Sequence, residues 1–121
     1  MKKTLLAVCM GLTTVAQADT TYVDAVANII NDNCVVCHRE GGIGPMSFET
    51  YEQVRPWSPL ISHKVANREM PPYAYDDHIG IQNLEGDWRL SQEQIETVVN
   101  WVNAGSPYGN RDTVVQPPVL P

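Results

Sequence analysis

Cys34-Val35-Val36-Cys37-His38 decides how the rest of the chain is read. On a helical turn, residues three and four apart share a face. Cys34, Cys37 and His38 therefore point the same way, bringing two thiols and an imidazole together. Upstream, Tyr22, Val23, Val26, Ile29 and Ile30 recur at helical spacing, with Asp24, Asn28, Asn31 and Asp32 on the opposite side. This pattern predicts an amphipathic helix over residues 22–33 that runs into the first cysteine. Downstream, Gly41-Gly42-Ile43-Gly44-Pro45 is loop chemistry.

Further out the chain stays helical in pattern. Residues 47–54 predict a short helix. Pro56 and Pro59 are expected to interrupt the next stretch, and residues 60–68 predict another helix. Met70-Pro71-Pro72 ends it, because proline lacks the N–H and restricts its predecessor. Residues 73–88 show no sustained period and read as a long loop. Ser91 and Gln94 then form a capping box, and Leu90 and Ile95 are spaced for a hydrophobic staple. Ile95, Val98, Val99 and Val102 make the apolar face of a last helix, stopped by Gly105 and Pro107. Pro117, Pro118 and Pro121 predict an extended, loosely held tail over residues 110–121. No stretch alternates convincingly as a strand, so the expected class is all-α.

The first residues stand apart. Lys2 and Lys3 precede an apolar run through Leu5, Leu6, Val8 and Leu12, and Ala16-Gln17-Ala18 has the small-x-small cleavage pattern. Residues 1–18 are expected to be an export leader. The run is shorter than the roughly 20 residues that span a bilayer, and Val8 before Cys9 argues against a lipoprotein site. Removing residues 1–18 takes two lysines and no acidic residue, moving the formal charge from −6 to −8. Such a chain should avoid nucleic acid and anionic membranes, insert in no bilayer after cleavage, and be steered toward basic surfaces.

Two cysteines remain, both in the motif. An exported protein would normally oxidise or pair free thiols. C-x-x-C-H reads instead as a c-type haem attachment site: the sulfurs bond two porphyrin vinyls and the His38 imidazole coordinates the iron. Two rivals use the same residues. A thioredoxin-like dithiol belongs at a strand-to-helix step in a βαβ pattern, which the chain lacks. A zinc site needs two more ligands, and His38 beside Cys37 crowds a tetrahedron.

For the sixth iron ligand the candidates are Met70, Met46, His63 and His78. Met70 is preferred. It lies 32 residues beyond His38 on a proline-stiffened loop, and a thioether ligand stabilises ferrous iron. Met46 follows the glycine loop too closely to cross the haem and is expected to pack. His63 is expected on a solvent-facing helix side and His78 in a loop.

These residues resemble class I c-type cytochromes over residues 22–109. Cys37-His38-Arg39-Glu40-Gly41-Gly42-Ile43-Gly44-Pro45-Met46, Met70-Pro71-Pro72 and Trp101-Val102-Asn103-Ala104-Gly105-Ser106-Pro107 are similar to the signatures of a narrower bacterial subgroup. The resemblance implies a cytochrome c-like fold, with few helices around one covalent haem c in a domain over residues 19–109. It implies that helices 22–33 and 91–104 cross, with Trp101 at the contact. It also implies that the Pro45 carbonyl accepts from His38, strengthening that ligand. Trp57 and Trp88 are candidates to donate to the haem propionates, and Arg55 and Arg68 to pair with them.

The expected function is a periplasmic monohaem carrier, not an enzyme. Cys34, Cys37, His38, Pro45 and Met70 form its cofactor site, with iron held by His38 and Met70. It would dock briefly on redox partners with basic surfaces. A haem enzyme or gas sensor with a labile sixth ligand, using His63 or His78, is the rival of another class. A subunit docked in a larger redox complex is a third.

Overall fold

Thr21 starts the first helix. In the computed structural model, which describes residues 20–73, 78–80 and 85–117, its backbone is extended and its hydroxyl accepts from Asp24 N–H. A π-helical turn, Tyr22–Val26, runs directly into α1, Ala27–Asn33. Tyr22, Val26, Ala27, Ile29 and Ile30 are buried, so the predicted face is the one that packs. The early N–H groups, which have no helical acceptor, are met from the far end of the chain. Tyr22 donates to Pro107 O at 3.0 Å and Val23 to Tyr108 O at 3.1 Å.

The middle of the chain is helical in three pieces: α2, Tyr51–Val54; a 3₁₀ turn, Arg55–Trp57; and α3, Ser58–Ala66. Thr50 and Gln53 form a capping box that sets where α2 begins. The predicted start at residue 47 is therefore too early. The expected interruption is present at Pro56, in the 3₁₀ turn that separates α2 from α3, whereas Pro59 does not interrupt α3. Each falls in the first turn of its element, where a missing N–H costs nothing. Between them Ser58 N–H bonds Arg55 O, an i→i−3 contact that tightens the chain into the 3₁₀ turn.

The last helix, α4, covers Gln92–Asn103. Its Ser91–Gln94 capping box has both reciprocal bonds. At its end Ser106 N–H bonds Trp101 O and Gly105 N–H bonds Val102 O, with Gly105 at φ 90°, the paired closure that a left-handed residue permits. α4 packs against α3 and against the opening turn of the first helix. Trp101 is fully buried there, its ring 6.0 Å from Tyr22. Tyr51 and Tyr108 complete this knot, 5.1 and 6.2 Å from Tyr22. Trp101 N–H donates to Pro107 O and Tyr51 hydroxyl to Ser106 O, so each buried polar tip is satisfied.

All regular structure among the described residues is helical. None of those helices is long and apolar enough to cross a membrane. The predicted leader, residues 1–18, lies outside the described residues, as do residues 74–77 and 81–84 of the long loop and Pro118 and Pro121. The described part of the tail is held more closely than its prolines imply. Asn31 Nδ2 donates to Gln116 O at 3.0 Å, and Val115 packs against the core.

Candidate functional site

The motif occupies the turn beyond α1. Cys34 caps the helix, its N–H on Ile30 O at 2.9 Å, and Val35 N–H reaches the same carbonyl at 3.1 Å. Cys37 and His38 N–H both return to Cys34 O, at 3.1 and 2.9 Å. This second turn keeps Cys34, Cys37 and His38 within one stretch of helical bonding. Val35, with no exposed surface, anchors it in the core, while Val36 is 44% exposed. Both cysteines are half-buried and form no disulfide.

His38 is held on three sides. Its Nδ1 lies 3.0 Å from Met46 O, and its ring stacks on buried Phe48 at 4.6 Å and 23°. A carbonyl only accepts, so Nδ1 carries the proton and the Nε2 lone pair is left for a ligand-accepting atom. Gly44 closes the third side: a Cβ there would lie 2.6 Å from Nδ1. The resemblance implies Pro45 O as the acceptor, one residue earlier, and the loop's register corrects this. Gly44 N–H bonds Cys37 O and Phe48 N–H bonds His38 O, both at 2.8 Å, and the loop closed by these bonds brings carbonyl 46 to the ring. Pro45 is exposed. Met46 packs against the core, as expected.

The surroundings of Cys34 bear on the dithiol reading. Burial, with a smaller contribution from Cys37, pushes the Cys34 thiol up to about 12. Cys34 also sits at the C-terminal, negative end of α1. A dithiol oxidoreductase needs the reverse, a thiolate favoured at a helix N-terminus. For zinc, no group of three or more His, Cys, Asp or Glu side chains is assembled to hold a metal ion among the described residues.

Met70 lies elsewhere on the chain's path. α3 ends with Glu69 N–H on Lys64 O and Arg68 N–H on Val65 O, Arg68 taking the left-handed conformation at φ 55°. Met70 comes directly after, 40% exposed, on a surface cleft formed with Val65, Pro71, Tyr73, Leu90 and Ile95. Leu90 and Ile95, the predicted staple pair, are both buried and line this cleft. Cys34, Cys37 and His38 are not part of its lining. His63 is exposed on α3, with Asn67 Nδ2 on its backbone carbonyl at 2.8 Å, and His78 is exposed as well.

The remaining candidates divide. Trp88 N–H donates to Pro72 O at 2.8 Å and is already engaged. Arg68 reaches Leu90 O at 3.4 Å and Gln92 Oε1 at 3.2 Å, so it ties two chain segments together. Trp57 and Arg55 are exposed. Sequence reasoning missed Phe48 as the floor of the imidazole. A lone apolar residue two positions past Met46 has no period to betray it. No family model, curated protein or solved structure matches this chain.

Proposed function

We propose that the chain is an exported monohaem c-type cytochrome with a cytochrome c-like fold, carrying single electrons between redox proteins. One observation carries the reading. Two unpaired thiols and an imidazole with Nδ1 committed to Met46 O sit on one turn, leaving Nε2 to bind iron. Cys34 and Cys37 would hold haem c through thioethers, and His38, with Met70 from its separate cleft, would hold the iron. When bound, the haem supplies a one-electron ferric–ferrous couple.

The chain's own residues then have definite tasks. The bond from His38 Nδ1 to Met46 O fixes the ring plane and makes Nε2 a stronger donor. Phe48 and Gly44 block rotation of the imidazole from two sides. Val35 pins the turn that bears both cysteines. Met70, presented directly from the end of α3 with Pro71 and Pro72 behind it, is the sixth ligand. A stiff loop lowers the entropy cost of keeping so weak a donor in place. The acidic mature chain supports brief docking on basic partner surfaces in the periplasm.

The deciding experiment is expression with haem-attachment machinery, then mass spectrometry of the denatured protein. The expected mass is that of the processed polypeptide plus one haem. A bare polypeptide whose two thiols alkylate freely would refute the reading.

A further inference from the structure

We infer that Arg68 and Trp88 are positioning residues that clamp the Met70 loop shut, and so set how readily an outside ligand takes the sixth position. The inference rests on Met70 being that ligand.

Met70-Pro71-Pro72 is tied at both ends to one segment, that leading into α4. Before Met70, the Arg68 guanidinium bonds Leu90 O and Gln92 Oε1. After it, Trp88 N–H bonds Pro72 O at 2.8 Å. Trp88 also meets the Tyr73 ring edge-on at 5.8 Å, and Arg89 lies 4.6 Å over the same ring. Leu90, at the centre of this segment, is buried and lines the cleft beside Met70. The ties therefore run from either flank of the methionine to the wall of its own cleft.

The backbone at Arg68 points the same way. Its φ of 55° is the left-handed conformation that closes α3. Glycine is the residue that adopts this without strain. An arginine here accepts strain that glycine would relieve, and its side chain spans to Leu90 and Gln92, which glycine cannot reach. A residue present only to end the helix would be improved by glycine. A residue present to clamp the loop would not.

The test uses the haem-loaded protein. Imidazole is titrated into the oxidised form while the far-red band of the methionine–iron bond is monitored. Arg68→Gly, which loses the bonds to Leu90 O and Gln92 Oε1, and Trp88→Phe, which loses the bond to Pro72 O, are each expected to lower the apparent imidazole dissociation constant at least about five-fold, the weight of a single hydrogen bond. Arg68→Gly is expected to melt no lower than wild type, since it relieves the backbone. That combination, equal stability with easier ligand entry, is one that a merely structural arginine does not produce. It also keeps the test decisive if Trp88→Phe fails to fold. Imidazole constants within two-fold of wild type would overturn the clamp. If Met70→Ala keeps the far-red band, the ligand reading fails first and the clamp with it. If Met70→Ala loses the band while both clamp variants behave as wild type, the clamp alone is wrong.

Discussion

Replacing Gly44 by alanine drives a methyl group into the His38 ring. The new Cβ would stand 2.6 Å from Nδ1, 2.8 Å from Cγ and 2.9 Å from Cys37 O. Carbon contacts are comfortable near 3.5–4.0 Å, so ring and carbonyl must yield by about 1 Å. Neither is the free end of a flexible side chain. The ring is held by Met46 O, a bond of about 1 kcal/mol, and by the Phe48 stack, worth about 0.5–1.5 kcal/mol. Overpacking alone costs about 1–3 kcal/mol. Together these give a loss of about 3–5 kcal/mol. Gly41→Ala is the control. Its φ of 70° penalises any side chain, by about 1 kcal/mol, but nothing lies within 4 Å of its Cβ. In a domain of this size 1 kcal/mol moves the melting temperature by about 4–8 °C. Thermal melts of the haem-loaded protein, recorded by circular dichroism and by Soret absorbance, should show Gly44→Ala falling more than about 10 °C. Gly41→Ala should fall by roughly half that or less. Equal losses in the two variants would show that the tight fit against His38 does not hold the imidazole.

The same geometry sets the outcome of other measurements. Under the proposed haem c reading, Met70→Ala should retain covalent haem but lose the far-red band and bind cyanide rapidly, as absorbance spectra would record. Tyr22, 2% exposed, has its phenol pushed up from 10.0 to about 12, by burial first and then by the negative charge of Glu52. The folded state therefore favours the neutral phenol. Its contribution is complete below pH 10 and is lost as pH rises toward 12, amounting to about 2–3 kcal/mol. Denaturant titrations across that window should fall less steeply for Tyr22→Phe than for wild type; parallel curves would contradict the burial of the hydroxyl. Val115→Asp should cost about 1–2 kcal/mol by the same assay, because Val115 packs on the core; a loosely held tail predicts no change.

Each part of the site is legible in the sequence to the extent that it is local. Cys34, Cys37 and His38 are legible because their spacing alone sets them on one turn. The Ser91–Gln94 cap and the Gly105 stop are legible for the same reason: donor and acceptor lie within a few residues. Prolines misled where position within an element mattered. Pro56 marks a true change of helix type while Pro59 sits harmlessly in the first turn of α3, and only the hydrogen bonds around them distinguish the two cases. Phe48 beneath His38, and the ring cluster of Tyr22, Tyr51, Trp101 and Tyr108, join residues too far apart for any period to mark.

By itself the sequence determined the helical class, the packing faces of the first and last helices, and the placing of Cys34, Cys37 and His38 on one turn. All three arise from spacing of less than two turns. Tertiary structure alone decided that carbonyl 46, not 45, meets His38, that Trp88 is committed to Pro72, and that the tail is held by Asn31 of α1 and by Val115 on the core. Each of these depends on where a loop closes. Loop closure is set by hydrogen bonds and contacts between segments distant along the chain, which no local pattern encodes.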